Sequence, residues 1–228
     1  MKLLIIASPK SASTSLMKGL SDITGLNARQ EYFSTNKKTH NFNLLARLLN
    51  KIFKNLHVVS SEHAESKKLR HVFPSYEFSL LSKFHSDIAD FNLDTNLENI
   101  LKHKIHKQHI PPTKNNLQLL KNTKKIILLR RPEEVLESYL REPFNEDLFY
   151  LQEKIKEDID FKLALLDELN LWVNGWFDAE KQNPNSMIIY YKDLIEKTPM
   201  TLNSILNFFE IDTNVDSNYN LPQERYYR

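Results

Sequence analysis

Cysteine is absent from this 228-residue chain and glycine occurs only three times. The first absence excludes disulfides, thiolate metal sites and cysteine nucleophiles together. The scarcity of glycine, beside abundant Asn, Lys and Ile, reads as compositional drift. Long apolar runs are missing too: no window approaches the roughly 20 residues of a membrane span. The N-terminal run Leu3 to Ala7 is five residues, too short for a signal-peptide core, and leads into Ser8-Pro9-Lys10 instead of a small-residue cleavage site. Charge of one sign is also lacking, with 31 Lys and Arg against 29 Asp and Glu and a formal net charge of +2. A nucleic-acid binder carries a basic excess that this chain does not have. The expectation is a cytoplasmic, soluble protein with no membrane span and no nucleic-acid partner. Its length fits one domain, residues 1–228, better than two.

What is present begins at residue 3. The apolar run breaks into Ser8-Pro9-Lys10-Ser11-Ala12-Ser13-Thr14-Ser15, and a helical pattern starts at Leu16. Strand, loop and helix in that order aim free backbone N–H groups and a helix dipole at one spot, where a phosphate or sulfate is stabilised. Lys10 and the hydroxyls of Ser11, Ser13 and Thr14 add side-chain donors, and the same hydroxyls can cap the helix. The loop has no glycine and carries its lysine first, so it is not the G-x-x-x-x-G-K-[ST] loop of kinases and GTPases.

Two more segments carry chemistry. Lys125 to Leu129 is a short apolar run, the mark of a buried parallel strand, and it leads into Arg130-Arg131-Pro132-Glu133-Glu134. Proline followed by two acids opens a helix whose apolar positions Val135, Leu136, Tyr139 and Leu140 keep the 3.6 period. Arg130 thus sits at the carboxyl end of a strand, where open α/β sheets bind ligands, and Ser138 lies about two turns into the next helix. Adjacent residues on an extended chain point to opposite sides, so only one of the two arginines faces the ligand; for Arg131 the alternative is a surface ion pair with Glu134 or nearby acids. Between these segments stands Lys107-Gln108-His109-Ile110-Pro111. His103, His106 and His109 are three apart, as metal ligands on a helix would be, but the lysines among them oppose a cation; on a strand His106 points away from the other two.

These three segments resemble the sulfotransferases that use 3′-phosphoadenosine 5′-phosphosulfate (PAPS). Pro9 to Thr14 is similar to their 5′-phosphosulfate loop, P-[KR]-S-[GA]-[TS]-[TS]; the arginine with a serine eight residues on resembles their 3′-phosphate site; and Lys107 to Pro111 resembles K-T-H-x-P, whose histidine is the catalytic base. The segment Met187 to Leu194, followed by Thr198-Pro199 and a helix to Phe209, is a weaker echo of their late strand, turn and helix. The resemblance implies a P-loop-NTPase-like three-layer α/β fold, with a central, mainly parallel sheet flanked by helices. It implies transfer of a sulfuryl group to a hydroxyl, or an amine, of a small-molecule, lipid or glycan acceptor, releasing adenosine 3′,5′-bisphosphate. Lys10, Ser11, Ala12, Ser13, Thr14 and Ser15 would hold the phosphosulfate, Arg130 and Ser138 the 3′-phosphate, and Lys10 and His109 would be catalytic; no metal is required. Glu62 is the reserve base, because some branches of the family use a glutamate from an earlier loop.

The sequence departs from the family in two places: Ser15 stands where many members have an adenine-stacking tryptophan, and the closing R-K-G segment is absent, with Arg225 and Arg228 as candidate substitutes and a frayed basic terminus as the favoured reading. Two other functions stay open on these residues: a nucleotide-dependent kinase on a related fold, and a non-catalytic nucleotide-binding relic of the same fold. Strands are expected at Leu3–Ala7, Lys104–His109, Lys125–Leu129 and Met187–Tyr191, with His57–Ser60 a further candidate, and Lys121 to Lys125 as a polar connection. Helices are expected at Ser15–Leu20, Pro132–Arg141, Leu148–Gln182 with a possible break, and Pro199–Phe209, with Phe42–Phe53 and Ser75–Phe91 as candidates. Residues 27–102 are the expected acceptor-site segment.

Overall fold

The computed structural model describes residues 2–30, 57–60, 69–72, 76–85, 88, 105–141 and 149–222. The expectations for Phe42–Phe53 and for Glu62, His103, Arg225 and Arg228 lie outside those residues, and the candidate helix Ser75–Phe91 is, where described, a 3₁₀ turn at Tyr76–Phe78 and a short helix at Leu81–Phe84. Five strands form the main sheet: β1 (Leu3–Ala7), β2 (Ala28–Gln30), β5 (Ile105–Gln108), β6 (Lys125–Leu129) and β7 (Ser186–Tyr190). Their order is β2-β5-β1-β6-β7, and every pairing is parallel. The candidate strand His57–Ser60 forms as β3, but it pairs antiparallel with β4 (Leu69–Val72) and not with the main sheet.

The period of two sorts the strands' side chains onto two faces. Leu3, Ile5 and Ala7 of β1 and Ile126 and Leu128 of β6 pack under α1 (Ser13–Thr24), through Leu16 and Leu20, and under a C-terminal helix carrying Leu202, Ile205 and Leu206. Leu4, Ile6, Ile127 and Leu129 meet helices on the other face, through Tyr139, Ile155, Leu165, Trp172 and Trp176. Among the described residues the helices that follow α1 are α2 (Leu81–Phe84), α3 (Lys114–Leu120), α4 (Pro132–Arg141), α5 (Phe149–Glu157), α6 (Ile159–Glu180), α7 (Tyr191–Glu196) and α8 (Thr198–Phe208). The expected three-layer α/β architecture is the one observed. Burying both faces explains why β1 and β6 read as unbroken apolar runs.

The long helix expected over Leu148–Gln182 is two helices within the described residues. It breaks at Asp158, whose carboxylate accepts from the Phe161 amide at 2.9 Å and so caps α6. Lys125 belongs to β6 and not to the polar connection before it. Its side chain is fully buried, with Nζ 3.1 Å from the Glu180 carboxylate and 3.0 Å from the Leu120 carbonyl. Among the described residues no helix is long and apolar enough to cross a membrane.

Candidate active site

β1 and β6 are neighbours, so the loops leaving their carboxyl ends meet. The Ser8 amide donates to the Leu128 carbonyl at 2.9 Å, and the Arg130 amide donates to Ser8 Oγ at 3.0 Å. Between Ser8 and α1 the backbone turns left-handed twice, at Lys10 (φ 55°) and at Ala12 (φ 59°), with no glycine at either position. Left-handed geometry costs an L-residue about 1–2 kcal/mol, and such strain concentrates where function requires it. Alternating handedness also turns successive N–H groups to one side, forming a concavity that suits an anion.

The expected helix cap is corrected here. Ala12 occupies the cap position of α1 and supplies no side-chain hydrogen bond; Ser11 Oγ turns back to donate to the Ser8 carbonyl at 2.6 Å. Ser13 and Thr14 are buried in the first turn and Ser15 follows half-buried. The start of α1 therefore offers N–H groups that no side-chain cap occupies, the arrangement that anion binding at a helix N-terminus uses.

Arg130 is 13 % exposed and reaches across to this loop, its Nη1 donating to the Lys10 carbonyl. Its Nε lies 3.4 Å from Glu134, and its guanidinium stacks 4.0 Å from the Tyr191 ring centroid. These contacts hold the planar fork in place while leaving further N–H donors on it. Arg131 points the other way, 76 % exposed, with Nε 2.7 Å from Glu134, the surface pair expected for it. Ser138 lies half-buried on the second turn of α4.

His109 follows β5 and is buried. Its Nδ1 is 2.8 Å from the Ala7 carbonyl, which can only accept, so Nδ1 carries the proton. Nε2 then presents a lone pair, which accepts from Lys107 Nζ at 3.1 Å. Burial holds the imidazole pKa well below its ordinary value, and the charges of Lys107 and Lys10 push it further the same way, against the bond to Ala7. The result is a neutral imidazole with a defined tautomer and an acceptor nitrogen. His106, one residue before Lys107, points away from this site toward Gln108. Among the described residues no group of three or more His, Cys, Asp or Glu is placed to hold a metal ion.

Sequence reading left several groups here without a role. Lys107 alternates with His109 along an extended chain, a signal that was there to use. His85 and Tyr139 carried no such signal: the His85 ring lies 4.8 Å from that of His109, and its Nε2 is 2.8 Å from the Tyr139 hydroxyl.

A family model described as the sulfotransferase domain matches residues 2–225. Among solved structures, the chain is similar to a sulfotransferase from Alicyclobacillus acidocaldarius, at 12% identity over 97% of this chain and 86% of that one, with a TM-score of 0.47. It is similar to the sulfotransferase domain from the curacin biosynthetic pathway, at 15% identity over 92% and 74% of the two chains, with a TM-score of 0.47. Mouse sulfotransferase SULT7A1 complexed with PAP gives 14% identity over 93% and 59%, with a TM-score of 0.43. No curated protein matches the chain significantly.

Proposed function

This chain belongs to the sulfotransferase family, and we propose that it transfers a sulfuryl group from PAPS to the hydroxyl of a small-molecule, lipid or glycan acceptor, releasing adenosine 3′,5′-bisphosphate. One observation carries the choice of donor. Two cationic anion receptors stand at the ends of the adjacent strands β1 and β6, joined by the bond from Arg130 to the Lys10 carbonyl. A nucleotide with a phosphosulfate at one end of its ribose and a phosphate at the other fits such a pair. In this reading Lys10 and residues 11–15 hold the phosphosulfate, and Arg130 and Ser138 hold the 3′-phosphate. The uncapped start of α1 and the buried hydroxyls of Ser13 and Thr14 support the fit. When bound, the donor supplies an activated sulfuryl group.

The remaining steps fall to the protein. Lys10 opposes negative charge that builds as the sulfuryl group leaves, a form of electrostatic stabilisation that is often the largest catalytic contribution. His109 Nε2 receives the acceptor's hydroxyl proton, and the Nδ1 bond to Ala7 keeps the ring in the tautomer this requires. Lys107 must swing its ammonium off Nε2 as the acceptor enters, which places a cation beside the reacting oxygens. The segment 27–102 shapes the acceptor pocket; its described turn at residues 76–85 brings His85 to His109.

Thermal shift with adenosine 3′,5′-bisphosphate, ADP, and ATP with Mg²⁺ tests the donor. A ligand at 100 times its dissociation constant adds about 2.7 kcal/mol of stability. Stabilisation is expected from the 3′-phosphorylated nucleotide alone and is expected to vanish in Arg130→Ala. Equal stabilisation by ADP or ATP would sink the PAPS assignment.

A further inference from the structure

Among the described residues, the loop that carries His109 makes few backbone hydrogen bonds of its own. Pro111 and Pro112 lack N–H groups, and the next loop amide, that of Thr113, donates to the Pro111 carbonyl at 2.9 Å. The shape of residues 109–112 is therefore imposed from outside. Trp176 of α6, fully buried, donates its indole N–H to the Ile110 carbonyl at 2.8 Å, and Asn116 Nδ2 donates to the Pro111 carbonyl at 2.9 Å. Gly175 lets the helix come this close: a Cβ there would lie 2.7 Å from Pro112 Cγ.

The same helix face holds the turn that delivers His85. The Glu168 carboxylate accepts from the Leu80 amide at 2.9 Å and the Leu81 amide at 2.8 Å, with the Ser79 hydroxyl at 3.4 Å. Trp172 meets Phe78 edge to face at 5.5 Å. From that turn the chain runs through α2 to His85, whose amide donates to the Leu81 carbonyl at 3.0 Å. Residues 168, 172, 175 and 176 follow the spacing of a single helical face.

We propose that this face of α6 aligns the two imidazoles of the acceptor side, with Trp176 the positioning residue for His109 and Glu168 the positioning residue for His85. The proposal rests on the reading of His109 as the base. It adds that the ring's aim is set by a helix more than sixty residues downstream, and that the two histidines are set by different residues of one rigid element. A buried indole N–H usually finds an acceptor, although that of Trp172 on the same helix has none among the described residues. The acceptor that Trp176 takes is the carbonyl next to the base, in a loop whose prolines cannot hold themselves.

The test is imidazole ¹H–¹⁵N NMR on the full chain between pH 8 and 5.5, with the wild type, Trp176→Phe, Glu168→Gln and Gly175→Ala. In the wild type His109 is expected to show the Nδ1–H tautomer alone and to resist protonation through this range. Trp176→Phe should lose that single-tautomer signature while the His85 signals stay in place. Glu168→Gln should do the reverse. Gly175→Ala keeps the indole but presses on Pro112, so it should disturb His109 alone; it carries the test if Trp176→Phe does not fold. Unchanged His109 signals in both Trp176→Phe and Gly175→Ala would overturn the proposal, as would variants that disturb both histidines alike. Failure of the base assignment reads out separately, as undiminished sulfuryl transfer in His109→Ala.

Discussion

The two ends of the parallel sheet surround their cations differently. At the amino end, Lys125 is enclosed by the Glu180 carboxylate and the carbonyls of Leu120 and Thr123. Glu180 in turn accepts from Asn183 Nδ2 at 2.6 Å and from the Ser186 hydroxyl. That cluster ties α6 to the starts of β6 and β7, and each charged group meets its complement. At the carboxyl end, Lys107 and Lys10 both push the His109 pKa down, and Arg130 donates to the Lys10 carbonyl. One end uses a cation to close the fold; at the other, the proposed function has cations receive an anion. What encloses Lys125 is a carboxylate, that of Glu180.

Removing that carboxylate is the largest single disturbance this comparison predicts. Glu180→Ala leaves a buried ammonium without its counter-charge, and breaking a buried pair in this way costs about 3–5 kcal/mol. Denaturant unfolding should show that loss, while the affinity of the folded protein for adenosine 3′,5′-bisphosphate stays as it was. A parallel loss of affinity would mean that the two ends are not independent.

At the other end the effect should fall on rate. Lys10→Ala is expected to slow sulfuryl transfer by about 10²- to 10³-fold, the usual effect of deleting one transition-state donor. Its stability should fall by much less than that of Glu180→Ala, because Lys10 is only half-buried. A variant that loses stability and keeps its rate would assign Lys10 to the fold instead.

The neutrality of His109 makes a prediction about acid. Its folded pKa lies below that of the unfolded chain, so as pH falls the unfolded state takes up the proton first. The associated stability is whole above about pH 6.5, the ordinary imidazole value. It declines as pH falls from there toward the depressed folded value. His109→Asn removes this dependence, so urea midpoints measured from pH 8 to pH 5 should fall less steeply in the variant. Identical slopes would mean that the imidazole is not held neutral in the native state.

The carboxyl end was far more legible in sequence than the acceptor side, and the reason is distance along the chain. The strands Leu3–Ala7 and Lys125–Leu129 and the helix Pro132–Arg141 match expectation residue for residue, because apolar runs bounded by charge, and a proline followed by acids, are local signals. Arg130 falls where a strand end meets a helix start, so its position followed from its neighbours. The three-residue strand Ala28–Gln30 is too short to show a period, and β3 was readable as a strand but not as the partner of β4. Trp176 reads as one more core aromatic; that its N–H serves a carbonyl 66 positions earlier is decided by packing alone. The Lys125–Glu180 pair stayed hidden for the same cause, since a lysine after a polar turn looks like surface.

The left-handed loop is the subtlest of these misses, and it gives the smallest effect to measure. A search for glycine finds none between Ser8 and Ser15, yet Lys10 and Ala12 both hold positive φ. Ala12→Gly should relieve roughly 1–2 kcal/mol of strain at φ 59°. The freer unfolded chain takes back about 0.4–1 kcal/mol of that. A net gain of about 0.5–1 kcal/mol is expected, read as a higher denaturant midpoint with an unchanged slope. Because the backbone shape is already the one glycine prefers, bisphosphate binding should persist. A destabilised variant would show that Ala12 contributes packing under α1 that outweighs its strain, and the amino-acid choice in this loop would then be set by the core and not by the anion.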